Sequence, residues 1–170
     1  MDKSLELKTF ELFNEKWALL TAGDIANHNS MTISWGETGT LWGKPVVTVY
    51  VKPSRYTHEF MEKNDYFVLS FFKEEYRQSL AIMGSKSGRN NNKDELSKLT
   101  PISHDKVTIY QEAELTLIVK KIYQNELVLD NIPEQERNTH YKNEAPHTMY
   151  IGEVVEIINK ENKKEAYKDE

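Results

Sequence analysis

Asn29-Ser30-Met31-Thr32-Ile33-Ser34-Trp35-Gly36, then Val46-Val47-Thr48-Val49-Tyr50-Val51 running into Lys52-Pro53-Ser54-Arg55-Tyr56-Thr57-His58-Glu59, are the segments that decide how this chain folds. In the first, Met31, Ile33 and Trp35 alternate with Ser30, Thr32 and Ser34, which is the two-residue period of a strand with one apolar and one hydroxyl-lined face. The second is a β-branched run that stops at a proline, and the third has hydroxyl residues and Glu59 placed as a helix start has them. Outward from this centre, residues 17–21, 66–72, 107–110, 115–119, 126–130 and 149–158 join 30–35 and 46–51 as predicted strands. Helical patterns are few and short: 57–64, 76–83 and 93–99, the last closed by Pro101. Many short strands with little helix between them predict a mainly β fold, an antiparallel barrel or sandwich, over an alternating βαβ layout.

The 170 residues suffice for one core and are too few for two ordinary domains, so a single domain over 1–158 is expected. Residues 159–170 are nearly all Lys, Glu, Asn and Asp and read as a solvated, disordered tail. A formal net charge of −5 leaves no basic footprint, so neither nucleic acid nor an anionic membrane surface is an expected partner. Absence of cysteine excludes disulfides, thiolate metal sites, iron–sulfur clusters and cysteine nucleophiles, and fits a reducing cytoplasm. The charged start and the lack of any run near the roughly 20 apolar residues of a membrane span predict a soluble, cytoplasmic protein. The five histidines lack paired metal-ligand spacing, so no metal site is expected. Glu74-Glu75 and Glu112/Glu114 sit among other charges and read as solvated faces.

Three segments have chemical potential. Around the 29–36 strand, Gly36, Gly39 and Gly43 bracket Thr38, Thr40 and Trp42 and would open the backbone to a flat ligand, although a plain barrel strand needs no more than this pattern. At Lys52 to Glu59, free amides at a helix start, the Ser54 and Thr57 hydroxyls and the Arg55 guanidinium suit a phosphate; a capped helix with a solvated arginine is the alternative. The loop Gly84-Ser85-Lys86-Ser87-Gly88-Arg89-Asn90-Asn91-Asn92-Lys93 can form an anion nest with Arg89 and Lys93 as countercharges, or be an ordinary connector. Its spacing fits neither a P-loop nor a serine-nucleophile turn. Among the histidines His147, just before the 149–158 strand, is the one placed to matter.

The joint order of 29–36, of Gly39-Thr40-Leu41-Trp42-Gly43-Lys44-Pro45-Val46-Val47 running into 53–57, and of Ser87-Gly88-Arg89 through Lys93 resembles the flavin reductase-like family, including its flavoredoxin-type members. The likeness extends from about Trp17 to Glu153. It implies a six-stranded antiparallel split β-barrel, a homodimer, and FMN as cofactor. By that resemblance Asn29, Met31, Thr32, Ile33, Ser34 and Trp35 would run beside the flavin ring, Ser54, Arg55, Tyr56 and Thr57 would hold its phosphate, and Ser87, Gly88 and Lys93 would close the far side. Lys52 stands where relatives often carry arginine, and Asn90 and Asn92 where they carry acidic residues, which puts an acidic role in ordering that loop in doubt. The implied activity is oxidoreduction: hydride taken from NAD(P)H as a transient donor and electrons passed to a flavin or another small-molecule acceptor. An FMN electron carrier with little turnover and a non-redox small-ligand barrel are the alternatives. The flavin would supply the redox chemistry, so no side chain is assigned as catalytic acid or base.

Overall fold

The structure, a computed structural model, describes residues 5–160; most of the charged tail predicted over 159–170 lies outside the described residues. Seven antiparallel strands form the main sheet: β1 (Ala18–Asp24), β2 (Asn27–Ile33), β3 (Gly36–Leu41), β4 (Lys44–Val51), β5 (Tyr66–Phe71), β8 (Leu115–Glu126) and β9 (Thr148–Asn159), in the order β2-β1-β5-β8-β9-β4-β3. Strands β6 (Pro101–His104) and β7 (Val107–Tyr110) make a separate hairpin. Five short helices flank them: α1 (Thr9–Asn14), α2 (Tyr56–Lys63), α3 (Arg77–Ser85), α4 (Lys93–Ser97) and α5 (Glu134–His140).

The alternation of the sequence explains which way each strand faces. Ala18, Leu20 and Ala22 of β1, Val47, Val49 and Val51 of β4, Phe67, Leu69 and Phe71 of β5, and Leu117 and Val119 of β8 meet in one core inside the curled sheet. Leu19, on the opposite face of β1, packs with Leu80 and Met83 of α3, Leu99 and Tyr110. β1 is thus covered on both sides, which is why it reads as a nearly continuous small-apolar run. Complete burial of a side chain such as Leu20 or Phe67 contributes roughly 1.5–3 kcal/mol, so these two layers are what fix the sheet's curvature. The result is a mainly β split barrel with a few short helices.

Several expectations are corrected. The main sheet has seven strands plus a hairpin where six strands were expected. β3, with its Gly, Glu and Thr, escapes hydrophobic patterning because it is a largely exposed edge strand. The predicted break after residue 119 does not occur: β8 continues through the polar residues to Glu126, held by its ladder to β9 with register shifts at Ile118/Val119 and Lys121/Tyr123. The predicted strand at 126–130 is instead the end of β8 and a single helical turn, Leu129–Asn131. β2 ends at Ile33, so Trp35 leaves the apolar face and is 43% exposed. Of the three bracketing glycines, Gly36 makes room for the Phe13 ring, since a Cβ there would lie 2.5 Å from Phe13 Cε1, and Gly43 follows Trp42 in a two-residue hairpin turn with both φ values positive.

Candidate functional site

A groove runs along the buried part of β2, past the start of α2, to the loop between α3 and α4. Its first part, a cavity of about 320 Å³, is lined by Met31, Thr32, Ile33, Ser34 and Trp35, with Tyr50, Lys52, Arg55, Gly84 and His147 opposite. Its second part, about 240 Å³, is lined by Asn29, Met31, Ser54, Arg55, Tyr56, Thr57, Ser87, Gly88 and Lys93 together with Ser85, Lys86 and Arg89. Met31 and Arg55 border both, so the two form one continuous channel. The thirteen residues assigned to the cofactor by resemblance therefore come together there, whereas the segment read as opening the backbone to a flat ligand does not: Gly36, Thr38, Gly39, Thr40, Trp42 and Gly43 line neither part. Tyr50 went unnoticed in the sequence because it sits in a run of β-branched residues that reads as core.

The second cavity has four cationic side chains, Arg55, Lys86, Arg89 and Lys93, and no carboxylate in its lining. β4 ends at Val51, a turn at Pro53 and Ser54 follows, and Arg55, in an extended conformation, starts α2, whose first turn has no side-chain cap. The His58 amide bonds the Arg55 carbonyl at 2.9 Å, and the Tyr56 and Thr57 amides with the positive end of the dipole are left for water or an anion. Asn29 Nδ2 donates to Thr57 Oγ1 at 2.7 Å, which occupies an acceptor site on the hydroxyl and leaves its proton free to donate. One Arg55 Nη donates to the Gly84 carbonyl at 2.6 Å, fixing the guanidinium between the two cavities. Arg89 is less available: it pairs with Glu59 at 2.5 Å, bonds the Ser54 carbonyl and lies over the Tyr56 ring, so it clips the loop to α2.

Lys93 is buried, and its Nζ donates to the Ser30 carbonyl at 2.5 Å. Burial first, and the Arg55 charge second, lower its ammonium from 10.5 to about 8. Gly88 packs against Asn29 so closely that a Cβ would lie 2.0 Å from Asn29 Oδ1. That contact holds the loop over the groove.

At the other end Trp35 meets His140 and His147 with ring centroids 5.3 Å and 5.2 Å away, and Tyr141 Oη bonds His147 Nδ1 at 2.9 Å. Burial, reinforced by the Lys52 charge, lowers His147 to about 4, so it faces the first cavity as a neutral imidazole at neutral pH. Lys52 itself is paired with Glu144.

Barrel and groove together define a split-barrel protein with an anion-suited channel between β2 and the start of α2. Residues 10–170 match the family model described as the flavin reductase like domain, and the chain belongs to that family. Among solved structures it is similar to an FMN-binding protein from Thermus thermophilus crystallised with 1-cyclohex-2-enone (19% identity, 95% of this chain and 80% of that one, TM-score 0.69). Flavoredoxins resemble it to the same degree. The one from Desulfovibrio vulgaris (Miyazaki F) is 22% identical over 95% of this chain and 78% of its own, with TM-score 0.69. The one from Methanosarcina acetivorans is 17% identical over 94% and 73%, with TM-score 0.68. No curated protein matches the chain significantly. No helix among the described residues is long and apolar enough to cross a membrane.

Proposed function

We propose that the protein binds FMN in this groove and works as an oxidoreductase, taking hydride from NAD(P)H and passing electrons to a flavin or other small-molecule acceptor. One observation carries the reading: in a chain of net charge −5, the wall at the uncapped start of α2 collects four cations and no carboxylate. The donor set fits a terminal phosphate, with the amides of the first α2 turn, the Ser54 and Thr57 hydroxyls and the Arg55 guanidinium converging on one cavity. The first cavity runs along β2 from Met31 to Trp35; the Met31 and Ile33 side chains pack into the barrel core, so the strand offers a flat ring the Thr32 and Ser34 hydroxyls and the part-exposed Trp35 indole.

When bound, FMN supplies hydride acceptance and electron release. The chain's residues bind and orient. Thr32 is held by its bond to the Leu80 carbonyl at 2.5 Å, which fixes β2 against α3, and the Gly88 contact to Asn29 narrows access of water at the loop side. Neutral His147 and the Trp35 indole line the same end of the first cavity, and in this reading that end would be shared between the flavin ring and a nicotinamide. A homodimer, as the family resemblance implies, is part of this reading, as is a cytoplasmic setting. The names of the similar flavoredoxins and of the similar FMN-binding protein support flavin over another phosphorylated ligand.

The test is direct. The purified protein is expected to be yellow, or to quench FMN fluorescence on titration; a colourless protein that binds no added FMN refutes the reading. Anaerobic stopped-flow mixing of the FMN complex with NADH or NADPH is expected to bleach the flavin absorbance. Bleaching only with a protein donor would identify a carrier.

A further inference from the structure

Helix α4 begins with Asn92, whose side chain accepts the Glu95 amide at 3.3 Å and so fixes Lys93 and Asp94 in its first turn. Both side chains reach back to β2. Lys93 Nζ takes the Ser30 carbonyl, while Asp94 accepts from Tyr110 Oη at 2.6 Å on one oxygen and from His28 Nε2 at 3.1 Å on the other. With its own proton given to Asp94, Tyr110 accepts from Ser30 Oγ at 2.8 Å, and Ser30 in turn accepts from Thr21 Oγ1 at 2.8 Å. Ser30 is thereby held at its carbonyl by Lys93 and at its hydroxyl by a chain that ends on Asp94. Burial alone would raise the Asp94 carboxyl, but the bonds from His28 and Tyr110, and the nearby His28 and Lys93, hold it below its ordinary value.

The charged and titratable groups that share a cavity lining with Lys93 are Arg55, Tyr56, Lys86 and Arg89 in one and His28, Tyr56 and Asp94 in the other, and Tyr110 of β7 reaches it through Asp94 and Ser30. Asp94 is the single carboxylate among the described residues lining the two cavities that Lys93 borders. The Asp94 charge acts against the burial and the Arg55 charge that lower the Lys93 ammonium, and so favours its protonated form.

We propose that Asp94 is a positioning residue for the phosphate end of the flavin groove, acting through Lys93 and through the Tyr110–Ser30 chain. The inference rests on the flavin reading above and adds a residue that touches no part of the ligand-facing channel lined by Arg55 and Thr57. It makes a prediction opposite in sign to simple electrostatics. Removing a carboxylate near an anion site should tighten anion binding by relieving repulsion; removing a positioning carboxylate should weaken it.

The experiment titrates FMN and riboflavin, which lacks the phosphate, into wild type, Asp94→Asn and Tyr110→Phe across the neutral and alkaline range. Asp94→Asn is expected to lose FMN affinity by about tenfold, the size of one charge-assisted hydrogen bond. Its alkaline decline in FMN affinity should begin at lower pH than in wild type, while riboflavin affinity stays unchanged. Tyr110→Phe, which keeps the charge and cuts the chain to Ser30, should weaken FMN binding by a smaller factor with the alkaline decline unmoved. FMN affinity in Asp94→Asn equal to or tighter than wild type overturns the proposal, as does an equal loss for both flavins. Should Asp94→Asn fail to fold, unaltered FMN affinity in Tyr110→Phe overturns it. A wild-type protein that binds neither flavin refutes the parent reading and the inference with it, a result distinct from failure of the inference alone.

Discussion

Gly88→Ala tests the groove at the point where the loop touches β2. A Cβ added there would lie 2.0 Å from Asn29 Oδ1 and 3.1 Å from both Asn29 Cγ and Tyr56 Cδ1, more than an ångström inside the ordinary contact distance for the first. Asn29 is not free to turn away, because its Nδ2 is bonded to buried Thr57 Oγ1 at 2.7 Å. The loop must therefore lift, taking Ser87 and Arg89 off the wall that Ser54 and Glu59 form, or the Asn29 bond must break. Overpacking of this kind costs about 1–3 kcal/mol. Expressed in binding, that is a roughly 5- to 150-fold loss of FMN affinity, since 1.4 kcal/mol is about tenfold. Expressed in stability, it lowers the melting temperature by about 2–4 °C per kcal/mol for a chain of this size. Gly39→Ala is the control: its Cβ meets nothing within 4 Å, and φ there is not positive, so both quantities should stay at wild-type values. Fluorescence titration and a thermal melt of the two variants decide the matter. Wild-type affinity together with a wild-type melting temperature in Gly88→Ala would refute the reasoning.

Thr57→Val leaves the buried Asn29 amide without its acceptor and is expected to destabilise the fold by about 1–3 kcal/mol, with Thr57→Ser restoring most of it; denaturant unfolding measures both. Lys93 titrates at about 8 in the fold against 10.5 for a free lysine, so between these values the unfolded chain binds more protons and stability rises with pH; the contribution is complete above 10.5 and lost as pH falls to about 8. The difference in unfolding free energy between wild type and Lys93→Met, followed against pH, should carry that slope, while FMN affinity moves the other way as the ammonium is neutralised. His147, at about 4 in the fold against 6.5, gives stability that is present above 6.5 and is lost as pH falls to about 4. His147→Gln should flatten that acid limb in the same unfolding experiment, and an unchanged limb would contradict the burial argument.

What was legible in the sequence follows from where each segment's side chains go. β4, β5 and β7 announce themselves because their β-branched and aromatic residues are buried on at least one face. The distal half of β8 does not, because its partner is the β9 backbone and its side chains are mostly exposed; ladder bonds hold it and leave no hydrophobic trace. α5 buries no residue at all, so no apolar stripe marks it, and its contact with the groove runs through a single ring, His140 on Trp35. Ser54, Arg55 and Thr57 were visible as an anion-suited helix start because that chemistry is local to a few consecutive residues. The Thr21–Ser30–Tyr110–Asp94–His28 chain was not, since its members lie up to 89 residues apart and pairing is decided by which strands the barrel brings together.

Charge shows the same division between what is local and what is assembled. A count of 22 basic against 27 acidic residues says that the protein as a whole repels anions, and that is true of its surface at long range. The barrel overrides the count by bringing α2, the loop before α4 and α4 itself to one wall, where four cations meet without a lining acid. Two of those cations are fixed within the structure: Arg89 by Glu59, and Lys93 by the Ser30 carbonyl and the neighbouring Asp94. That leaves exposed Lys86 and the Arg55 guanidinium; of the two, Arg55 is the one held in place, at one nitrogen by the Gly84 carbonyl with its other donors available, and so the charge on which a phosphate in the proposed reading depends most. Replacement of Arg55 by lysine would keep the sign and lose the fork that bonds the Gly84 carbonyl and, in the proposed reading, a phosphate together.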